Sequence, residues 1–492
     1  MYDVNARLNA ALRLLVSGQE FSEIPDIAAY GDVQSQWEAG LRDELAATIR
    51  DGNCTPRHTE IVDYPKSDIA VRPLARFSAR DRLIYDSLIF ELAADLDNFR
   101  KGQVYSYRWN HRIGRPIFWK DSWTLMRERA KRKLRSNRVF KLATTDVSSF
   151  YEHIDIDLLT DDLYLICQNE TAIRNVSSFL KTFQNINHAW GLPQGSDASG
   201  ILANAYLAPV DEYLERNEFP FFRYSDDIMI FHEDWNALRD ALVDVNRIFR
   251  SKRLTMSAQK TKILDFPDAL DTLKNARESS IDQALSTGDP DVDEDIRDYF
   301  DDLVHEERLD SSRMRFALNK LRRLGDDYAV GWCLDNLRFM AHAAREIFAY
   351  FAECAHRQRE IQRKLTDFLL SSESSSYPYI EQRILRYFVR LEIGSEKAKG
   401  AAWDIMEDKN REEFPREFAV RYLGMNASAS EAQLLRHKFE GEPSHTMRRA
   451  LLVALYESGK LSERYLRNVE DSLPELRWTC RYLSGNPKVT TS

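Results

Sequence analysis

Cysteine is scarce in this chain: five residues in 492, Cys54, Cys167, Cys333, Cys354 and Cys480, with no C-x-x-C pair. That spacing fits unpaired thiols in a reducing compartment better than a zinc or disulfide framework. Long apolar runs are missing too. No window approaches the roughly 18 uncharged apolar residues of a membrane span, and Met1 to Arg7 carries no basic segment leading into an apolar one. The expectation is a soluble, unexported, cytoplasmic chain without a membrane partner. Glycine (18) and proline (15) are too few for a fibrous or low-complexity protein. What the chain does have is core-forming material, 43% hydrophobic with 25 Phe and 21 Tyr. At roughly 100–200 residues per domain, its length predicts two to four packed domains.

The net charge of −9 is a poor guide to partners, because the charges are unevenly spread. Between Lys101 and Lys141, thirteen Lys and Arg stand against Asp121 and Glu128, a local balance of +11. Tyr105, Tyr107, Trp109, Phe118, Trp119 and Trp123 are interleaved with them. Cations for phosphates among aromatics for bases suit a nucleic acid, and Arg127, Arg129, Lys131, Arg132, Lys133 and Arg135 are the candidate contacts. A solvated basic helix covering an acidic neighbour is the plain alternative.

Periodicity divides the chain at about 60 and 270. Residues 1–60 read as helix, loop, helix, with Leu8, Leu12 and Leu15 in the first and Trp37, Leu41, Leu45 and Ile49 in the second. From 61 to 270, short β-rich runs alternate with helical patterns; from 271 to 492 the pattern is helical. The run Asp289-Pro290-Asp291-Val292-Asp293-Glu294-Asp295 reads as an exposed acidic connector without the glycine and terminal Glu of a calcium loop. A weak echo recurs about every 30 residues, at Leu385–Leu391, Phe418–Gly424, Ala450–Leu455 and Trp478–Leu483. Stacked helical hairpins or an irregular helical domain would each produce it.

Three local strings carry chemistry. In Phe140 to Asp155, a β-leaning run ends at Asp146 and passes through Ser148-Ser149 toward a helix. In Phe221 to Phe231, two β-rich runs flank Ser225-Asp226-Asp227, the pattern of a hairpin with acids at its tip. Carboxylates gathered without basic partners repel one another, so the grouping makes sense with hard divalent cations, Mg²⁺ first. The third string, Gly191-Leu192-Pro193-Gln194-Gly195, arises by chance on the order of once per million positions. It predicts a kinked loop with two flexible points, leading into a helix from about Ser199.

In this order the strings resemble reverse transcriptases of the bacterial retron and group II intron lineage. The likeness covers motif A (Asp146 to Ile154), motif B (Gly191 to Asn204), motif C (Tyr224 to Asp227, with Ser225 where Ala is commoner), motif D (Leu254 to Thr261) and a fingers motif (Arg72 to Tyr85). It implies an α+β fold, reverse-transcriptase fingers and a ferredoxin-like palm followed by an all-α, helical-repeat-like C-terminal domain. It further implies that Asp146, Asp226 and Asp227, with the Val147 carbonyl, hold two Mg²⁺, for which Mn²⁺ can substitute. By the same resemblance Lys260 assists departing pyrophosphate, and Tyr151 is the gate against a ribose 2′-hydroxyl. Gln194 and Gly195 meet the incoming nucleotide, and Arg72 and Arg76 hold phosphates.

A reverse-transcriptase core followed by a helical half resembles the bacterial defence-associated, abortive-infection-type enzymes. The implied activity is RNA-directed DNA synthesis from dNTPs in anti-phage defence, with a non-coding RNA as template, a DNA product and a homo-oligomeric state. Template-independent, protein-primed synthesis and a catalytically vestigial binding scaffold are the alternatives.

Overall fold

The computed structural model describes residues 3–18, 22–67, 69–137, 139–186, 189–273, 278, 281–282, 284–285, 292–306, 309–486 and 488–490. Of the features read from sequence, Arg138 and the Asp289-Pro290-Asp291 part of the acidic connector lie outside these residues. The chain forms two compact units that interleave along the sequence. The first comprises 1–15, 42–61 and 74–276, the second 16–41, 62–73 and 277–492. Composition sets linear boundaries near 60 and 270, whereas compactness assigns segment 16–41 to the second unit.

The chain begins with a helix at Val4–Ser17, as its leucine spacing predicts. A short helix, Gly31–Ser35, precedes the second predicted one, which is broken into Trp37–Leu41 and Arg42–Arg50 near Gly40, whose φ is +126°. Eight strands follow among the described residues: β1 (Thr59–Pro65), β2 (Val71–Phe77), β3 (Trp109–Asn110), β4 (Arg115–Pro116), β5 (Lys141–Thr145), β6 (Phe221–Tyr224), β7 (Asp227–His232) and β8 (Lys262–Leu264). β1–β2 and β3–β4 are two-stranded sheets, and the other four make one sheet in the order β6-β7-β5-β8. All of its pairings are antiparallel, with helices between β5 and β6 and between β7 and β8. This is the β-α-β-β-α-β palm that the resemblance implies.

The strand alternation explains what covers the sheet. Leu142, Met229 and Phe231 form a core with Met126, Ala130 and Leu134 of helix Trp119–Ser136, and with Ala269 and Leu273 of helix Phe266–Leu273. The intervening Ala143, Ile228 and Ile230 are buried as well, and helix Trp235–Ser251 packs on β5 and β7. The basic helix is therefore amphipathic, with its i, i+4, i+8 apolar stripe in the core.

In the second unit helices follow one another from Val292 to Gly485. The four sequence echoes fall on Pro378–Arg390, Glu413–Met425, His445–Glu457 and Arg477–Gly485, alternate members of the series. These pack in succession, each preceded by a partner helix, which is a stack of helical hairpins. Among the described residues no helix is long and apolar enough to cross a membrane, and all five cysteines are unpaired and buried.

Candidate active site

Register brings the acids together. Thr145 pairs with Ile228 across β5 and β7, so Asp146 and Asp227, one step beyond and one step before that pair, leave the same end of the sheet. Tyr224 pairs with Asp227, making Ser225-Asp226 a two-residue turn. Such turns want positive φ at the first position, and Ser225 has φ +56°.

A buried network holds that turn. The Ser225 N–H donates to Ser106 Oγ (2.7 Å) and the Ser225 carbonyl accepts from Arg223 Nη1 (2.8 Å). Arg223, fully buried, also donates to Asp211 Oδ1 (2.7 Å) and Asn204 Oδ1 (2.8 Å), while Ser106 donates to the same Asn204 oxygen (3.0 Å). Residues 103–105 bond along Arg223, so the segment carrying Ser106 edges the sheet beside β6. Arg223, Asp211 and Ser106 escape a motif-based reading. The available signal was a charged residue standing in an otherwise aromatic run, Phe221-Phe222-Arg223-Tyr224.

The carboxylates themselves are poorly satisfied. Asp146 is 4% exposed, and its Oδ1 is buried without a hydrogen-bond partner; its Oδ2 accepts from Lys260 Nζ. Burial, with Asp146 and then Asp227 nearby, pushes the Asp226 carboxyl up to about 8. Burial and Asp146 raise Asp227, against the opposing pull of Lys260. Burial would lower Lys260, but the three acids win and raise it. Motif D reaches this place because the Ser257 N–H donates to the Asp146 carbonyl (2.8 Å) and Ser148 N–H to that of Thr255 (2.9 Å). Val147 is bridged to Met256. With Lys260 on Asp146, no group of three His, Cys, Asp or Glu among the described residues stands ready-made to hold a metal. The donor chemistry nevertheless fits one: three mutually repelling hard oxygen ligands, one oxygen of them orphaned.

The Gly-Leu-Pro-Gln-Gly loop has positive φ at both glycines, +64° at Gly191 and +105° at Gly195. A Cβ on Gly191 would lie 2.1 Å from the Tyr151 carbonyl oxygen, which accepts from Leu192 N–H (2.8 Å). The loop is thus laid directly on motif A. Its other side meets the first unit's long helix Ala79–Phe99, where Arg82 donates to the Gly195 carbonyl (3.0 Å) and Ser196 Oγ to Asp86 (2.6 Å). The Gln194 carbonyl is taken by Ala75 N–H, leaving the Gln194 side chain half-buried. The following helix runs Asp197–Tyr206, two residues earlier than expected because Ser196 caps it. Tyr151 is half-buried, and burial raises its hydroxyl.

The expected phosphate and nucleic-acid residues are placed unevenly. Arg72 is exposed on β2, but Arg76 is paired with Glu60 at 2.8 Å. On the basic helix, Arg127 donates to the Thr272 and Leu273 carbonyls (3.1 and 2.9 Å) and Arg129 to the Tyr105 hydroxyl (2.9 Å). Lys131 meets Glu128, and Lys133 lies 4.9 Å from the centre of the Phe140 ring. Arg132 and Arg135 are exposed.

Residues 64–286 match the model of the family described as reverse transcriptase (RNA-dependent DNA polymerase). No curated protein matches the chain. Among solved structures, it is similar to telomerase from Candida albicans in complex with a TWJ fragment of telomeric RNA, at 10% identity over 82% of this chain and 70% of that one, TM-score 0.33. It is also similar to apo telomerase from Candida tropicalis, at 10% identity over 77% and 74%, TM-score 0.30.

Proposed function

We propose, starting from a chain that carries a reverse-transcriptase domain over residues 64–286 and is an RNA-directed DNA polymerase, that Asp146, Asp226 and Asp227 are the acids at which it joins deoxynucleotides. One observation carries this reading: a buried Asp146 oxygen without a partner beside two acids whose ionisation is held back. Such a grouping is unfavourable for a protein alone and is relieved by hard cations. Reverse-transcriptase domains use divalent metal ions; here two Mg²⁺, or Mn²⁺, held by the three acids and the Val147 carbonyl, would supply Lewis acidity for attack of a 3′-hydroxyl on the α-phosphate.

The chain's own residues do the positioning. Arg223, Asn204 and Ser106 fix the acidic turn, so that little reorganisation is left for the reaction. Lys260, parked on Asp146, is the cation that turns to the triphosphate and donates a proton to departing pyrophosphate. Tyr151 closes the pocket against a 2′-hydroxyl, while Gln194 and Gly195 line the nascent pair. Arg72 meets phosphates at once, and Arg76 does so after leaving Glu60. Arg132 and Arg135 present free charge to RNA or its hybrid; Arg127, Arg129, Lys131 and Lys133 stiffen the helix beneath.

The helical stack that follows the polymerase unit supports a place among defence-associated enzymes, with a non-coding RNA template and a homo-oligomer as the working form. The test is to give purified protein dNTPs and Mg²⁺, with and without the RNA that co-purifies, and to sequence both RNA and product. DNA complementary to that RNA, absent in Asp226→Ala/Asp227→Ala, is the expected result. Unchanged products in that variant would overturn the assignment.

A further inference from the structure

Behind Tyr151 stands a second tyrosine that the proposed reaction does not use. The Tyr151 hydroxyl donates to the Tyr107 hydroxyl at 3.4 Å. Tyr107 is anchored unusually well for a residue in a loop. Its backbone is left-handed, φ +47°, and its carbonyl and that of Ser106 both accept from the buried Arg100 (2.9 and 3.2 Å). Its ring lies flat on Gly200 of the helix that follows the Gly-Leu-Pro-Gln-Gly loop: a Cβ there would come within 2.4–2.5 Å of three ring carbons. Only a glycine lets the ring settle at that depth. Left-handed backbone at a bulky residue is strained and persists where the surroundings over-determine it.

The other ring has less to hold it. Tyr151 is fixed at its backbone by the Gly191 contact and packs edge-on against Phe150 (centroids 5.6 Å apart), but its free end is held through its hydroxyl, by Tyr107 and by Ser225 of the acidic turn. A steric gate discriminates by the position of its outer edge, so what holds that edge sets the discrimination.

We infer that Tyr107 is the positioning residue that makes the sugar gate strict, holding the Tyr151 ring forward so that a ribonucleotide 2′-hydroxyl does not fit. This rests on Tyr151 being the gate. Removing the Tyr107 hydroxyl loosens the ring without emptying any space at Gly200. Adding a methyl at Gly200 pushes the Tyr107 ring off its seat and breaks its hold on the Tyr151 hydroxyl by a second route.

The test compares dTTP with UTP on a poly(rA) template with an oligo(dT) primer and Mg²⁺, reading kcat and KM separately. In Tyr107→Phe, the preference for dTTP is expected to fall about tenfold, the scale of one hydrogen bond, through a lower KM for UTP and with kcat for dTTP nearly unchanged. In Gly200→Ala, whose methyl displaces the Tyr107 ring, the preference for dTTP is expected to fall as well. Tyr151→Ala serves as the reference for an open gate. If Tyr151→Ala accepts UTP but Tyr107→Phe keeps the wild-type preference, the inference about Tyr107 is wrong and the gate stands. If Tyr151→Ala itself leaves the preference unchanged, the gate fails and the role of Tyr107 falls with it. A loss of kcat shared equally by both nucleotides in Tyr107→Phe would mark it as a merely structural residue and also overturn the proposal.

Discussion

In the first unit the buried Arg223 is committed to the backbone of an acidic turn, whereas in the second unit three arginines, Arg383 and Arg421 buried and Arg449 half-buried, grip a single segment of turns. Arg383 donates to the Glu23 carbonyl (2.5 Å) and Arg421 to that of Ile27, while Arg449 pairs with Asp26 and Asp32 (2.7 and 2.8 Å). Each comes from a successive member of the helical stack, and together they bind segment 22–32 into it. That is why residues 16–41 belong to this unit. Every acid they touch is satisfied. In the first unit, by contrast, the polar framework is satisfied and the acids it presents are not. The helical unit also leaves buried polar atoms unpartnered, Glu381 Oε2 and the Gln382 amide among them, so what sets the first unit apart is where its unpartnered carboxylate oxygen lies, beside two other acids whose ionisation is held back.

The sharpest way to break this contrast is to neutralise an acid. Asp226→Asn should lower DNA synthesis by about 10³-fold or more, the scale seen when a transition-state charge partner is lost. Its metal-free thermal midpoint should stay level or rise, because a repelling buried charge has gone. A fall in both would mean the acids are structural after all. Arg449→Ala should do the opposite, costing about 3–5 kcal/mol in urea unfolding by stranding Asp26 and Asp32. Arg223→Ala, which strands Asp211 and frees the turn, should lose stability on the same scale and activity besides, at least about tenfold.

The two units were also unequally legible from sequence. Asp146, the Gly191–Asn204 string and Ser225-Asp226-Asp227 are local patterns whose residues are close in the chain, and the strand order follows once they are placed. The helical echoes were readable because a buried stripe must repeat wherever hairpins stack. The arginine partnerships were not. Ser225 meets Ser106 across 119 positions and Arg449 meets Asp32 across 417. No local pattern marks an arginine as buried, since most are exposed. The same blindness made Arg76 and Arg127 look like open phosphate contacts when Glu60 and two helix-end carbonyls already hold them.

The basic helix allows a finer cut. Arg132→Ala and Arg135→Ala should each reduce the salt dependence of RNA binding by about one counterion, measured as the slope of log affinity against log salt. Arg127→Ala should leave that slope nearly unchanged and instead loosen the helix against its neighbour. Equal slopes for all three variants would return the whole segment to one undivided binding face.

The smallest expected effects concern one carboxylate from each unit, and they have opposite signs in pH. Glu431 closes a capping box with Ser428 at the start of helix Ala429–Gly441, and the bonds from Ser428, helped by Lys399, hold it down at about 2. A lowered carboxylate stabilises above its ordinary value and loses that contribution as the pH falls toward 2. Glu431→Gln should therefore cost about 1 kcal/mol near neutrality and progressively less in acid. Asp197 in the first unit is pushed up to about 6 by burial, with Arg82 opposing the rise and Asp86 adding to it. A raised carboxylate destabilises above its ordinary value, so Asp197→Asn should gain roughly 2 kcal/mol near pH 7, and that gain should vanish as the pH falls from about 6 to about 4. Urea midpoints for both variants across this range decide the matter. Parallel pH profiles would show that the two units treat their acids alike, and the contrast between a scaffold whose arginine-bound acids are paired and a site whose acids repel would fail at its most sensitive point.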